Sequence, residues 1–573
     1  MVSTARAAPS TTLRAGLGSV IGAALAAVAA WLMRPMFSVP TGGIGMVTVN
    51  AYPKGWDYAV IALLAIGAFA GGMLSVLGDQ LSVTDRLSDT SRATRNTQLA
   101  TAFIVFVLMF FVHDHPFAHM DNFHEGEHLT PAYLFRSGER PYRDVFLLHG
   151  LGVDGGLDAL AGGRPPVTRR LQTVLDAAAL ALLVPVAAEV TATTAGMLGG
   201  VLLSLCGVAA LWVPVFPYFR LAPLLLAAIG LLRYARSGRA APLFLAFASA
   251  TLGVLWSLDT GTYALAGTAI AFVLLPKRLE TKRVAILVLL ALALPVIVLF
   301  ALRADLVRFF RDSFVIIPSA IDAVWSLPAP KPFTEAGLHY YLPPVFNGLL
   351  LAIAVKRRDP RLLIVAILSL VLYRTAAGRV SWSHTRFATP LLGIAFVAVI
   401  LEPLRNRIAL ALLAAAALFY FELPQNAKAG AKLIAEWPAR QRHEGLVPHP
   451  LARGIYTSEQ NATELATLRG YIDSLGPGTI LDFTNERALY FLLDRKPPVR
   501  CFDIPMLSAP RLRTEAMAEL RAHPPLAVIL GGSPEIAIFD RVSNRDRVPE
   551  LAQWIDANYP KRTEMGRFTV ATR

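Results

Sequence analysis

The polar stretch "HMDNFHEGEHLTPAYLFRSGERPYRDVFLLHG" (119–150) contains the residue types most suited to chemistry in this sequence. It places the carboxylates Asp121, Glu125 and Glu127 close together, with histidines between and around them. A carboxylate near cationic groups can accept the proton of an attacking hydroxyl group as a general base. The stretch therefore predicts a reaction centre in which Glu125, Asp121 and Glu127 are the candidate catalytic residues.

Further charged and polar residues could bind the substrate of such a reaction. They come from the same loop and from two later segments, "WSLDTGTYA" (256–264) and "RTAAGRVSWSHTRFATP" (374–390). Arginines stabilise negative charge on a leaving phosphate, best through two parallel hydrogen bonds. The candidate substrate-binding residues are His124, Arg143, Asp144, His149, Asp259, Arg379, His384 and Arg386.

Structural roles are the alternative for each of these residues. Glu125 and Glu127 could stabilise the first turn of a helix over "LTPAYLFRSG", because acids favour the N-terminal end. Asp121 lies in a turn-prone pair, and Arg143 with Asp144 could form only a loop salt bridge. His149 could be a loop packing residue, and the span ends could account for Asp259, Arg379, His384 and Arg386. The histidines at 113, 115, 119, 124 and 128 fit no compact zinc signature, so we predict no metal ligands.

The acids could instead hold a hard divalent cation such as Mg²⁺ or Mn²⁺, so the cofactor requirement stays open.

Composition indicates where this loop lies. Of the 573 residues, 55% are hydrophobic and only 16% are charged, whereas soluble proteins carry roughly 25% charged residues. Apolar runs long enough to cross a bilayer recur along the chain. We predict an α-helical polytopic membrane protein with about thirteen spans. The predicted spans are 16–33, 57–78, 97–113, 173–191, 195–214, 219–234, 241–257, 260–276, 283–302, 341–356, 361–374, 388–402 and 407–422.

Basic residues concentrate in alternate short loops between these runs, as the positive-inside rule requires. This pattern places the first large loop (114–172) and everything after residue 421 outside, in the periplasm of a bacterium. The net charge of +14 then reports orientation in the inner membrane and no nucleic-acid partner. The segment "RPPVTRRLQ" (164–172) breaks the rule, so its arginines should pair with acids of the loop or contact a lipid phosphate.

The chain changes character after the last predicted span. We divide it into a membrane domain over 1–422 and a periplasmic region over 423–573. "TILDF" (479–483), "LAVILGG" (526–532) and "GRFTVATR" (566–573) have the pattern of strands, and 463–475 and 548–559 have the pattern of amphipathic helices. This alternation predicts a small α/β domain from about residue 440.

The first outside loop resembles that of GT-C class membrane glycosyltransferases, in the protein-mannosyltransferase and aminoarabinose-transferase branch. The matching positions are Glu125, Gly126, Glu127, Ala132, Gly138, Pro141, Tyr142 and Asp144. The sequence departs from that pattern at His124, where these transferases usually have their lead aspartate. It departs again at "LLHGLG", where "KPP" often follows the distal aspartate.

The resemblance implies a GT-C-like fold and a cell-envelope glycosyltransferase. Its donor would be a polyprenyl-phosphate-linked sugar and its acceptor a periplasmic glycan or lipid. By the resemblance, Glu125 is the best candidate for the base, followed by Asp121 and Glu127. The alternatives are a transporter or flippase of lipid-linked sugars, and a non-enzymatic membrane assembly protein whose periplasmic domain recruits partners.

Overall fold

The computed structural model describes residues 7–75, 95–113, 119–208, 217–276, 279–404, 407–419, 428 and 445–573. Up to residue 419, the described chain is almost entirely helical. These helices are α1 (Ala7–Met33), α2 (Met46–Val49), α3 (Gly55–Ser75), α4 (Arg95–His113), α5 (Gly126–Arg136), α6 (Leu157–Leu160), α7 (Pro165–Ala181), α8 (Leu183–Val190), α9 (Thr194–Val208), α10 (Ala222–Ser237), α11 (Ala240–Trp256), α12 (Leu258–Leu274), α13 (Thr281–Ala301), α14 (Leu306–Arg311), α15 (Ile317–Trp325), α16 (Glu335–Lys356), α17 (Pro360–Leu372), α18 (Arg374–Gly378), α19 (Trp382–Phe387), α20 (Pro390–Phe396), α21 (Glu402–Leu404) and α22 (Arg407–Phe419).

Among the described residues, 7 helices are long and apolar enough to cross a membrane. They are Ala15–Met36, Gly55–Ser75, Pro165–Val190, Tyr218–Ser237, Thr281–Ala301, Glu335–Lys356 and Pro360–Gly378. The remaining predicted spans correspond to shorter apolar helices, such as Ala240–Trp256 and Leu258–Leu274. The predicted fold class, a helical multi-pass protein with a small C-terminal α/β region, is confirmed.

One helix begins earlier than predicted. We expected a span over 173–191, with 164–172 in the loop before it, but the helix starts at Pro165. Proline suits the first helical position, because its missing N–H has no partner there. Arg169 and Arg170 therefore lie in the first turns of α7, and Arg164 directly precedes the helix.

The first two long helices pack closely through small residues. A Cβ added to Gly22 would lie 1.9 Å from the carbonyl oxygen of Gly67, and one added to Gly71 would lie 2.0 Å from that of Gly18. Glycines spaced four residues apart on both helices let the two backbones approach, as is common between membrane helices. Replacing Gly22 or Gly71 with a larger residue would force α1 and α3 apart.

The C-terminal region contains a four-stranded sheet with strand order β3-β4-β6-β5. Strand β3 pairs with β4 in parallel, and β4, β6 and β5 pair antiparallel. The predicted strands are confirmed at β3 (Ile480–Asp482), β4 (Ala527–Gly531) and β6 (Phe568–Thr572), and the predicted amphipathic helices at Glu459–Ser474 and Pro549–Asn558. Sequence reasoning missed β5 (Lys561–Met565) and the short pair β1 (Gly445–Leu446) and β2 (Tyr456–Thr457). The other helices of this region are Leu489–Leu492, Pro510–Ala522, Pro534–Ala537 and Asn544–Arg547.

The C-terminal region docks onto the first outside loop through the segment that follows β3. The amide of Ala488 donates to the carbonyl of Asn122 (3.0 Å), and the Asn122 amide group donates to Glu486 (2.8 Å). Thr130 of α5 donates to the carbonyl of Arg487 (2.7 Å). Hydrophobic residues of the loop, of α14 to α15 and of the sheet form one continuous core. The predicted boundary near residue 422 lies outside the described residues.

Candidate functional site

The turn that precedes α5 is organised around Asp121. Its Oδ1 accepts hydrogen bonds from the backbone amides of Phe123 and His124, both at 3.0 Å. Its Oδ2 lies 2.7 Å from Nδ1 of the His124 ring. Burial alone would raise the pKa of Asp121, but the hydrogen bonds and the charge interaction with His124 outweigh burial and lower it. Asp121 is therefore a charged carboxylate with both oxygens engaged, and its side chain is one third exposed.

Glu125, the first candidate for the base, forms an ion pair with Arg169 of α7. Nε and Nη2 of Arg169 each donate to a different carboxylate oxygen of Glu125 at 2.7 Å. The amide of Asp121 also donates to Glu125 (2.8 Å), and only 2% of the Glu125 side chain is exposed. The prediction that arginines of 164–172 pair with acids of the loop holds for Arg169. The geometry gives Glu125 a role in fixing the turn.

Glu127 lies on the first turn of α5 and contacts the C-terminal region. Its carboxylate forms an ion pair with Nη1 of Arg487, and Nη2 of Arg487 lies 3.0 Å from Oδ1 of Asp503. Burial raises the pKa of Glu127, but the charges of Arg487, His149 and His124 outweigh it and lower the pKa. Glu127 therefore interacts with two other candidate residues, His149 and His124.

Two histidines of the first outside loop have buried aspartate partners. Nδ1 of His149 lies 3.1 Å from Asp154, whose other oxygen accepts the His149 amide (2.7 Å). Burial lowers the pKa of His149, but Asp154 and Glu127 outweigh it and raise the pKa. Nδ1 of His128 lies 2.8 Å from Asp158, and this pairing raises the pKa of His128 to about 9 against the effect of burial. Both histidines are therefore positioned by carboxylates.

Asp259 lies at the first turn of α12, opposite an arginine that sequence reasoning missed. Nη2 of Arg220 lies 2.7 Å from both oxygens of Asp259, and Nε of Arg220 donates to Ser257 (3.0 Å). Arg220 is buried at the end of an apolar helix, where a charge needs a close partner. The signal in the sequence was the single arginine in "FPYFRLAP" (216–223), between two apolar runs.

The segment 374–390, which the sequence predicts to lie outside, contains Arg379 and His384. Arg379 binds Asp540 of the C-terminal region through two hydrogen bonds of 2.8 Å, and also donates to the carbonyl of Trp325 (2.6 Å). Burial and the charges of Arg379 and Arg220 hold the pKa of His384 well below its usual range. His384 is therefore neutral at pH 7. It can act as a hydrogen-bond donor and acceptor without adding charge.

An aromatic cluster separates Arg379 from Arg487. Phe123, Trp325 and Phe539 pack together, with the rings of Phe123 and Phe539 stacked at a centroid distance of 4.7 Å. The guanidinium of Arg487 lies 4.5 Å from the centroid of Phe123, and that of Arg379 lies 5.2 Å from that of Phe539. Cation–π contacts of this kind stabilise a buried guanidinium. The cluster joins the first outside loop, α15 and the C-terminal region.

Most of the predicted site residues converge in one electrostatically connected cluster. His384 interacts with Arg379, Arg220, Asp259 and His149, and His149 interacts in turn with Glu127. Glu127 interacts with His124. We call this group the outer polar cluster; its members are Asp121, His124, Glu127, His149, Asp154, Arg220, Asp259, Arg379, His384, Arg487 and Asp503.

Besides Glu125, three predicted residues lie apart from the outer polar cluster. Arg143 and Asp144 form a loop ion pair of 3.3 Å, and 53% of the Arg143 side chain is exposed. The carbonyl of Arg143 accepts a hydrogen bond from Arg308. Arg386 is buried, with Nη2 3.5 Å from the ring of His339. Their proposed contacts with substrate stay predictions.

Metal binding was left open by the sequence. Within the described part of the chain, no group of three or more His, Cys, Asp or Glu side chains is arranged to hold a metal ion. Of the histidines considered, His115 lies outside the described residues.

Arg487 was also missed by sequence reasoning, although it follows a predicted strand in "LDFTNER" (481–487). Side chains just beyond the carboxyl end of a parallel strand are common ligand contacts, and that rule was the available signal. For Arg169 the signal was the break in the charge rule at 164–172, whereas Asp503 had no signal, because nothing in its local sequence distinguishes it from a surface charge.

No protein-family profile and no curated relative matches the chain. Solved structures that are similar to it include two of ArnT from Cupriavidus metallidurans. The structure bound to undecaprenyl phosphate has 12% identity and a TM-score of 0.46, and covers 83% of this chain and 97% of its own. The apo structure has 13% identity and a TM-score of 0.42, and covers 83% of this chain and 96% of its own. ArnT is an aminoarabinose transferase of the GT-C class, the class that the first outside loop of this chain resembles.

Proposed function

We propose that this protein is a glycosyltransferase of the bacterial inner membrane. It moves a sugar from a polyprenyl-phosphate donor to a glycan or lipid acceptor in the periplasm. The observation that carries the proposal is the outer polar cluster, in which carboxylates and arginines from five segments of the chain come together. Transfer from a phosphate leaving group needs both types of group, one to receive a proton and one to stabilise the phosphate.

The position of the cluster suits a donor with a lipid tail. Asp259 lies at the first turn of α12, and Arg379 directly follows the span that ends at Gly378. Both residues are at the ends of apolar helices, where the headgroup of a lipid lies when its tail is in the bilayer. A phosphate there would meet the arginines, while its polyprenyl chain stayed among apolar side chains.

The three arginines of the cluster are the candidates for the phosphate. Arg220, Arg379 and Arg487 each pair with a carboxylate in this structure, with Asp259, Asp540 and Glu127 respectively. A phosphate would take over hydrogen bonds that these carboxylates now accept. Neutral His384 would then lie beside the phosphate and the sugar without adding positive charge.

The proposal is tested with the purified full-length protein in lipid nanodiscs and radiolabelled polyprenyl-phosphate sugars. Wild type should release the lipid phosphate by transfer or by hydrolysis. Glu127→Gln should lower turnover by about 10²-fold or more, as expected for a charged group in the reaction centre. Glu125→Gln tests the first candidate for the base in the same assay.

Glu139→Gln is the matched control, because Glu139 forms a partly exposed ion pair with Lys496 outside the outer polar cluster. It should retain wild-type turnover. If wild type consumes no donor but moves it between leaflets, the protein is a transporter or flippase. If wild type neither consumes nor binds the donor, the assembly-protein alternative is favoured.

A further inference from the structure

The contacts of the His124 ring differ at its two nitrogens. Nδ1 lies 2.7 Å from Oδ2 of Asp121, while Oδ1 of the same carboxylate is fixed by two backbone amides. The carboxylate therefore cannot rotate away from the ring without losing both amide bonds. Within the described part of the chain, Nε2 has no hydrogen-bond partner. The His124 side chain is 25% exposed, so Nε2 is reachable by a ligand.

A charged carboxylate next to Nδ1 selects the tautomer of a neutral imidazole. The proton resides on Nδ1, where it is donated to the carboxylate, and Nε2 keeps its lone pair. The lowered pKa of Asp121 keeps that carboxylate charged over the neutral range. An imidazole oriented in this way is the general base in enzymes that activate a hydroxyl group through a histidine and an aspartate.

The surroundings of His124 place this nitrogen beside the outer polar cluster. Glu127 of α5 interacts electrostatically with His124, and Glu127 is in turn paired with Arg487 of the C-terminal region and influenced by His149. The ring of Phe123 lies edge-on to the His124 ring at 4.7 Å. The charged groups that face His124 are therefore Asp121 from its own turn and Glu127 from α5, with Arg487 behind Glu127.

We propose that His124 is the general base of the transfer and that Asp121 is its positioning residue. This inference rests on the proposed function. The acceptor hydroxyl gives its proton to Nε2 of His124 while its oxygen forms a bond to the anomeric carbon of the sugar. The bond between that carbon and the phosphate oxygen breaks, and its electron pair leaves with the lipid phosphate. Glu125, bound by Arg169, then maintains the turn that holds Asp121 and His124 together.

The experiment compares wild type with His124→Gln, Asp121→Asn and His119→Gln in nanodiscs. Turnover of the radiolabelled polyprenyl-phosphate sugar is measured from pH 5 to pH 9, and thermal unfolding verifies that each variant is folded. His119 is exposed and provides the matched control. We expect His124→Gln to lower kcat by about 10²- to 10⁴-fold, the usual contribution of a general base, with little change in KM for the donor.

Rescue by a small molecule distinguishes catalysis from a structural role. Asp121→Asn removes the charge that orients the imidazole, so it should lower kcat with little change in KM for the donor. Added imidazole should partly restore turnover in His124→Ala, which has space for it, and should leave wild type unchanged.

Two results would overturn the inference, and they are distinguishable. Donor consumption by wild type that persists within about threefold in folded His124→Gln would leave the proposed function standing and exclude His124 as the base; threefold corresponds to less than 1 kcal/mol. A kcat of folded Asp121→Asn within about threefold of wild type would exclude the positioning role. Absence of donor consumption by wild type overturns the proposed function and this inference together.

Discussion

Glu127 and Arg487 are 360 residues apart in the sequence and form an ion pair in which only 3% of the arginine side chain is exposed. The pair joins the first turn of α5 to the segment that follows β3. Arg487 also lies against Asp503 and the ring of Phe123. The reaction centre proposed for the first outside loop is therefore completed by a residue of the C-terminal region.

Removing the charge of Arg487 should both destabilise the protein and lower its activity. Arg487→Gln removes the cation from half-buried Glu127 and buried Asp503, and breaking a buried pair costs roughly 3–5 kcal/mol. Arg469→Gln, which breaks a partly exposed pair with Asp494, should cost only about 0–1 kcal/mol. Thermal unfolding and donor turnover of both variants provide the comparison. Equal effects of the two substitutions would contradict a special role for Arg487.

A methyl group at Gly126 should separate the first outside loop from the C-terminal region. Its Cβ would lie 2.2 Å from the backbone nitrogen of Ala488 and 2.6 Å from the carbonyl carbon of Arg487. Gly126→Ala should therefore lower the unfolding temperature and expose the interface to protease. Gly470→Ala is the control, because a Cβ at that position meets nothing within 4 Å. In a helix interior, alanine is more favourable than glycine by about 1 kcal/mol. A Gly126→Ala variant as stable as wild type would argue against this docking.

Glu125 and Arg169 should behave as one structural unit. Each single substitution, Glu125→Gln or Arg169→Gln, removes one charge from a pair that is almost fully buried. The double variant should therefore be less destabilised than the sum of the two, with an interaction free energy of roughly 1–3 kcal/mol. A double-mutant cycle on unfolding measures this quantity. Additive effects on stability, together with a loss of turnover specific to Glu125→Gln, would return Glu125 to the role of base.

The pair of His128 and Asp158 should make stability depend on pH. The pKa of His128 is raised to about 9 in the folded protein, above its value of roughly 6.5 in an unfolded chain. The contribution of the His128–Asp158 pair to the free energy of unfolding is therefore fully present below about pH 6.5. It is lost as the pH rises through about 9. We expect the difference in unfolding temperature between wild type and His128→Gln to shrink over that interval. A difference that does not change from pH 6 to pH 10 would contradict the raised pKa.

Asp540 should compete with the donor phosphate for Arg379. It occupies two nitrogens of the guanidinium at 2.8 Å, with a positive φ of 54° that non-glycine residues rarely adopt. Asp540→Asn weakens that pairing and should tighten binding of a polyprenyl phosphate by about tenfold, which corresponds to 1.4 kcal/mol. Binding is measured by scintillation proximity with the protein in nanodiscs. Arg379→Gln should weaken binding, and unchanged affinity in both variants would place the phosphate elsewhere.

Much of the fold could be predicted from local patterns. Apolar runs indicated the helices, and alternation of short apolar runs with helical patterns indicated the C-terminal α/β region. Strand β5, with the sequence "KRTEM", was missed because its exposed, charged residues carry no apolar pattern. It forms because the antiparallel partner β6 supplies its hydrogen bonds, and such pairing has no signature in the strand itself.

The site was predictable to a smaller extent. Its polar residues at span ends, such as Asp259 and His384, are conspicuous because charge is costly next to the bilayer. Their partners were not predictable, because Arg220, Arg487 and Asp540 are selected by tertiary contacts over long sequence distances. For Glu125, a partner from 164–172 was predicted, but which of the arginines and which of the acids would pair depends on how α7 approaches the turn.

Because Glu127 precedes Arg487 by 360 residues, the two members of this ion pair are synthesised at different times. The loop with the candidate base is synthesised first, whereas Arg487 and Asp540 are synthesised well after it. Membrane insertion of the early helices therefore precedes completion of the outer polar cluster. A nascent or truncated chain that ends before residue 487 would carry the loop without the arginine that pairs with Glu127. Under the proposed function, the reaction centre is therefore complete only after the C-terminal region has been synthesised and has docked onto the loop.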